Sequence, residues 1–288
     1  MTDHWHELRR FTEARIAQGR AGHGVRTATH LEFQLAHAQA RDAVHTPWDV
    51  EAFAKATRKL GLEALTLATP VTDRVEYLKR PDLGRTLDAE SRQQLLNVAN
   101  SVTDVALIFS NGLSSTAMDA HGLALLQSLV AAFRAEPESI QIAGRSATVA
   151  RPAFTLGPVC MVPNARVALS DEIGALLNAR LAVIVIGERP GLTAADSLGI
   201  YMTYNPNPAN TDAERNCISN VRPPAGLSYR EAAAKLVYLA RQAMQLGFSG
   251  TDLKDDMPQA LNLNADPVGL EYPGIHAIFN PQKLTLNR

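Results

Sequence analysis

Leu181 to Leu192, LAVIVIGERPGL, decides how the rest of the chain is read. Six apolar residues run from Leu181 to Ile186 without polar alternation, the pattern of a strand buried on both faces of a parallel sheet. The run stops at Gly187 and delivers Glu188 and Arg189. Pro190 then blocks continuation of the ladder and Gly191 frees the backbone for a turn. Ligands collect beyond the carboxyl ends of strands in open α/β sheets, which makes Glu188 the first candidate site residue. On position alone an interface salt bridge or a helix cap explains it equally well.

Working outward, strands alternate with helices. VTDVALIF (Val102 to Phe109) reads as a strand, SNGLSS (Ser110 to Ser115) as a turn and Ala117 to Ala135 as a long apolar-periodic helix. Ser139 to Ala143, Phe154 to Val162 and GIYMTY (Gly199 to Tyr204) are further strands, with a helix from about Asp171 to Asn178. RNCISN (Arg215 to Asn220) reads as a polar loop, and Ser228 to Leu246 as a helix with Ser228 as N-cap and Glu231 at the capping-box position. The fold class expected is α/β, with a mostly parallel, Rossmann-like sheet over residues 96–254. Residues 1–95 predict a helical N-terminal domain. It contains two helices around the GRAGHG turn (Gly19 to Gly24), shorter ones after Pro47 and over Leu60 to Leu67, and another from Ala89 with Asp88 as its cap. Residues 255–288 lose periodicity and read as an extended tail.

With 46% hydrophobic and 20% charged residues the chain is globular, and a net charge of −1 gives no global attraction to nucleic acid or to an acidic membrane. Cys160 and Cys217 are too few for a disulfide framework and lack metal-ligand spacing, which points to a reducing compartment, the cytoplasm. No apolar run reaches the roughly 20 residues of a membrane span.

Familiar cofactor motifs are broken. No G-x-G-x-x-G follows any expected strand, and no phosphate loop is present. Gly112-Leu113-Ser114 lacks the second glycine of a nucleophile elbow, because Thr116 stands there. Asp119-Ala120-His121 begins D-x-H-x-x-G, the motif that replaces cobalamin's lower base, but Ala124 ends it inside a helix, so His121 is expected at a surface or helix end. His4 and His6 have no third ligand, and Arg9, Arg10, Arg15, Arg20 and Arg26 form a solvated or subunit-contacting basic face. Cys217 without a histidine base reads as a small buried hydrophobe.

Taken in order, GRAG (Gly19 to Gly22), YLKRPDLGR (Tyr77 to Arg85), SNGLS (Ser110 to Ser114), ARVALSDEIG (Ala165 to Gly174), VIGERPGL (Val185 to Leu192) and CISN (Cys217 to Asn220) resemble the small subunit of ethanolamine ammonia-lyase, from about Leu8 to Lys254. The resemblance implies an adenosylcobalamin-dependent lyase that converts ethanolamine to acetaldehyde and ammonia. Its partner would be a large subunit holding substrate, within a hetero-oligomer of several copies of each. The family's small-subunit cofactor contacts fall on Val167, Glu188 and Cys217 of this chain, with no catalytic and no metal-ligating residue of its own. Arg189 is a further candidate for the nucleotide phosphate. A rival reading is a non-catalytic assembly module that has lost cofactor contact. Asn111 stands where the family pattern S-D-G-L-S has aspartate, so no acidic role carries over to that turn. Some members bear an N-terminal extension linked to packaging in bacterial microcompartments. The sequence lacks it, which leaves cytoplasm or microcompartment open.

Overall fold

The computed structural model describes residues 4–98, 103–135, 139–142, 145–148 and 153–257. Val102, Ala143, the side chains of His4 and His6, and the tail past Met257 lie outside the described residues. Among the described residues eight strands form: β1 (Ala64–Thr66), β2 (Thr103–Ser110), β3 (Ser139–Ile142), β4 (Arg145–Thr148), β5 (Leu156–Met161), β6 (Ala179–Gly187), β7 (Leu198–Tyr204) and β8 (Arg215–Val221). β3 and β4 make an antiparallel pair of their own, and the other six form one sheet in the order β1-β5-β2-β6-β7-β8.

β6, which carries the apolar run, lies between β2 and β7. Its residues alternate between two cores. Leu181, Val183 and Val185 pack on one face with α3 (Val50–Lys59), α7 (Leu123–Arg134) and α9 (Tyr229–Leu246), while Ala182, Ile184 and Ile186 pack on the other with α5 (Ala89–Val98) and α8 (Leu169–Leu176). Burial on both faces is why the run shows no alternation. The remaining helices are α1 (His4–Glu7), α2 (Thr27–His45), α4 (Arg74–Lys79) and the short α6 (Ser115–Ala117), which continues through a π turn at Met118–Gly122 into α7.

The sheet is mixed. β1, β5, β2 and β6 pair in parallel, but β6 with β7 and β7 with β8 are antiparallel. The connection 188–197 holds no helix and is shorter than the dozen or so residues a parallel crossover needs, so the chain turns back.

Three expectations for individual segments are corrected. RNCISN is not a loop but most of β8, an edge strand whose Cys217, Ser219 and Asn220 are exposed while Ile218 and Val221 face the core. Leu60 to Leu67 is not a helix: Gly61 turns at φ +73° and β1 follows, with Leu62 and Ala64 joining one core and Leu67 the other. The first of the two N-terminal helices shrinks to α1 and a 3-10 turn at Leu8–Phe11. Trp5, Leu8 and Phe11 are exposed there, and a short helix without a packed face is marginal in water. The caps hold as read. Asp88 Oδ1 accepts from Ser91 N at 2.8 Å, and Ser228 with Glu231 closes a capping box on α9.

Candidate functional site

After β2 the chain enters α6 and α7, and after β5 it enters α8 on the opposite face of the sheet. Connections that part in this way leave a crevice at the carboxyl edge. A cavity of about 420 Å³ opens there, with Leu113 from the β2 loop, Arg166 and Val167 from the β5 loop, and Ile186 to Arg189 from the end of β6 in its wall. Tyr77 of α4, Tyr201 of β7 and Ser219 of β8 complete it.

The end of β2 holds the β5 loop in place. Ser110 Oγ accepts from Ala165 N at 3.1 Å and Asn111 Oδ1 accepts from Asn164 N at 2.8 Å, immediately before Arg166 and Val167. Asn111 Nδ2 also donates to Ser115 Oγ at 3.0 Å. A carboxylate has no such donor, so the amide acts here as a brace within the turn.

Glu188 is half-buried and reaches across β7 to β8. Its Oε2 accepts from Ser197 Oγ at 2.5 Å and from Asn220 N at 3.3 Å, and its Oε1 accepts from Ser219 Oγ at 2.5 Å. The side chain passes over Gly199, where a Cβ would stand 2.9 Å from Oε1 and 3.2 Å from Cγ. Of the roughly four lone-pair positions of a carboxylate, these donors leave about one for a ligand. Glu188 makes no ion pair and caps no helix among the described residues, since its partners are two hydroxyls and one peptide N–H.

The loop 188–197 is tied down from the other side. Ser114 Oγ donates to Ala195 O at 2.7 Å, and His121 contacts Asp196 Oδ2 through Nε2 at 3.3 Å and the Tyr229 hydroxyl through Nδ1 at 2.8 Å. Of the surface or helix-end placement expected, the second holds: His121 lies in the π turn just before α7 and is only 7% exposed. It supports the loop rather than facing the cavity.

Val167 and Glu188 therefore share one cavity. Cys217 does not line it but lies opposite Tyr201 in the β7–β8 register. Gly199, Tyr201, Cys217 and Ser219 stand on the same face of the sheet, the face that carries α8 farther in, and Cys217 and Ser219 are left exposed. The Tyr201 hydroxyl bonds the Cys217 thiol, and burial is the first cause that pushes both groups above their ordinary pKa. Both are neutral at physiological pH.

Sequence reasoning missed Tyr77, Tyr201 and Arg166. Tyr77 is fully buried, donates its hydroxyl to Ala165 O at 2.9 Å, and has the Arg166 guanidinium 4.2 Å and the Arg74 guanidinium 4.8 Å from its ring centre. Arg166 Nη2 donates to Tyr77 O at 3.0 Å, whereas its Nε is buried without a partner. The signal available was adjacency: Arg166 precedes Val167, and Tyr77 opens the YLKRPDLGR segment. No group of three potential metal ligands is found among the described residues. None of their helices is long and apolar enough to cross a membrane.

Residues 2–254 match the family described as ethanolamine ammonia-lyase light chain (EutC). The chain is 48% identical over 255 residues to the ethanolamine ammonia-lyase small subunit of Azotobacter vinelandii, covering 88% of each chain. It is 44% identical over 262 residues to that of Xanthomonas campestris pv. campestris, covering 90% of each. With the small subunit of Pseudomonas fluorescens strain SBW25 the identity is 46% over 265 residues, covering 91% of this chain and 89% of the other. With a family match over nearly its whole length and relatives this similar, the chain belongs to the ethanolamine ammonia-lyase light-chain family.

Proposed function

We propose that the chain is the small subunit of an adenosylcobalamin-dependent ethanolamine ammonia-lyase and that its carboxyl-edge cavity holds one side of the cofactor against the large subunit. The observation that carries this reading is the Glu188 carboxylate, fixed by Ser197, Ser219 and Asn220 at a cavity rim with acceptor capacity to spare. Cobalamin's rim is lined with neutral amides, and a carboxylate accepting an amide N–H makes a charge-assisted hydrogen bond. Val167 gives apolar wall beside it. Cys217 and Tyr201, both neutral, allow close approach of a broad ligand on a sheet face that no helix covers at that point among the described residues.

The residues present fit the group, a carboxylate acceptor and an apolar wall matching its amide-bearing rim. Bound cobalamin brings the radical-generating cobalt–carbon bond. This chain's part is to orient the cofactor through Glu188, to keep its side of the site apolar through Val167 and Leu113, and to leave substrate chemistry to the partner. Exposed Trp5, Leu8, Phe11, Leu31, Phe33 and Leu35 near the N-terminus are large apolar side chains available for assembly with another subunit.

The test is Glu188→Ala in the complex with the large subunit, titrated with adenosylcobalamin by absorbance. Affinity is expected to fall by about 10- to 100-fold, the loss of one charge-assisted hydrogen bond, with assembly unchanged. Wild-type affinity in the variant refutes the reading.

A further inference from the structure

Arg166 and Arg74 both stack on the buried ring of Tyr77, and neither forms an ion pair among the described residues. Arg74 spends its donors on Val44 O at 2.6 Å and Asn164 Oδ1 at 2.7 Å, with Nη2 buried and unpartnered. Arg166 stands in the cavity wall and spends one donor, on Tyr77 O, with Nε buried and unpartnered. Two guanidinium charges close to one ring, without a carboxylate between them, are an electrostatic arrangement an anion relieves. Burial is the first cause that lowers the Arg74 pKa, and the neighbouring Arg166 charge adds to it. Glu188, in the wall of the same cavity, forms no ion pair with either of them among the described residues, its donors being Ser197, Ser219 and Asn220. The reachable donor is Arg166 Nη1, which makes no hydrogen bond among the described residues and, unlike Nε, is not buried, so a ligand in the cavity can take it up.

We propose that Arg166, backed by Arg74 and oriented by stacking on Tyr77, is an anion subsite that binds the phosphodiester of the cofactor's nucleotide loop. This rests on the cobalamin reading above. The peripheral side chains of that cofactor are neutral amides, and the phosphodiester is its anionic substituent, a tetrahedral oxyanion that the planar fork of arginine matches. With Glu188 accepting amide N–H bonds and Arg166 donating to the phosphodiester, the opposite charges on the two walls set the direction in which the ligand lies. Arg189, also in the wall, sits exposed on the loop after β6 and has the weaker, solvent-screened claim.

The ligand itself can be cut to test this. Complexes of the large subunit with wild-type, Arg166→Met or Arg166→Lys small subunit are dialysed to equilibrium against cobalamin, cobinamide phosphate or cobinamide, the last lacking both nucleotide and phosphate. Methionine keeps the apolar stem that packs on Gly84, where Arg166 Cγ lies 3.0 Å from a would-be Cβ. Arg166→Met is expected to lose about 10- to 100-fold in affinity for cobalamin and for cobinamide phosphate, and nothing for cobinamide. Arg166→Lys, which keeps the charge and loses the fork, falls between and carries the same comparison if the methionine variant does not assemble. Equal losses for all three ligands, or no loss for any, overturn the subsite. A wild-type complex that binds none of them overturns the cofactor reading itself, which is a different result.

Discussion

Replacing Gly199 by alanine adds one methyl group and should displace a carboxylate. The new Cβ would meet Glu188 Oε1 at 2.9 Å, Glu188 Cγ at 3.2 Å and Tyr201 Cε2 at 3.3 Å. Gly199 is not in the left-handed region, so alanine fits the backbone and the Glu188 side chain, being the flexible partner, gives way. It withdraws from β8 and loses Ser219 Oγ and Asn220 N. Hydrogen bonds to a charged group are worth about 1.5–3 kcal/mol when dry, but both donors are exposed and water replaces them, leaving about 1 kcal/mol for the two. Removing a glycine from a strand returns roughly 0.5–1 kcal/mol. The fold is therefore expected to keep its melting temperature within a few degrees, at about 2–4 °C per kcal/mol for a chain of this size. Cobalamin affinity of the assembled complex is expected to drop by about tenfold or more, because the remaining acceptor position no longer faces the cavity. The decisive measurement is the double-mutant cycle: in a Glu188→Ala background the Gly199→Ala effect on affinity disappears. An undiminished effect in that background, or a collapse in melting temperature, refutes the reasoning.

Other perturbations follow from the same contacts. Arg215 and Asp171 form an ion pair with both side chains nearly inaccessible, and Arg215→Met strands a carboxylate whose pKa burial already raises; a loss of about 3–5 kcal/mol is expected in urea unfolding, largely recovered on adding Asp171→Leu. Ser228→Ala is expected to cost about 1 kcal/mol through the lost cap of α9. Glu231 is held below the usual carboxylate range by the Ser228 hydroxyl and N–H. A depressed folded-state pKa contributes stability that is complete above the unfolded value of about 4.3 and fades as pH falls through the folded one. The stability gap between wild type and Glu231→Ala, read at pH 7 and again near pH 3 (roughly a unit below that value), is therefore expected to shrink in acid. Iodoacetamide is expected to modify Cys217 alone in the folded complex without cofactor, more slowly than free cysteine, and more slowly still once cobalamin is bound. Cys160 is fully buried with its thiol pushed up to about 12, so labelling at both sites before unfolding refutes that assignment.

What was legible in the sequence depended on how locally it was caused. The β6 run announced itself because burial on both faces leaves no polar residue to interrupt it, and Glu188 came with it as the next ionisable group. The caps of α5 and α9 are contacts three residues apart and were readable for that reason. β1 was hidden because it has three residues on a sheet edge, where spacing such as Leu62, Leu65 and Leu67 suits a helix as well as a strand. β8 reads as a loop in the sequence because one of its faces is bare, which fills it with Asn, Cys and Ser. Tyr77 and Arg166 meet across 89 positions, and no local pattern encodes such a contact.

The reversal of the chain after β6 was equally invisible, yet it makes the site. Had the sheet continued in parallel, a covering helix would have followed β6 and Glu188 would have faced its first turn. Instead β7 runs back beside β6, and β8, antiparallel to β7, returns in the original direction. The end of β8 thus reaches the same edge as the ends of β2, β5 and β6, bringing Ser219 and Asn220 within reach of Glu188 over the narrow waist at Gly199. No crossover helix is spent between β6 and β8, so the sheet face with Tyr201, Cys217 and Ser219 stays open beside the cavity. A broad, amide-rimmed ligand needs such a bare shelf next to a polar rim. In this sheet both arise from two connections too short to carry a helix across.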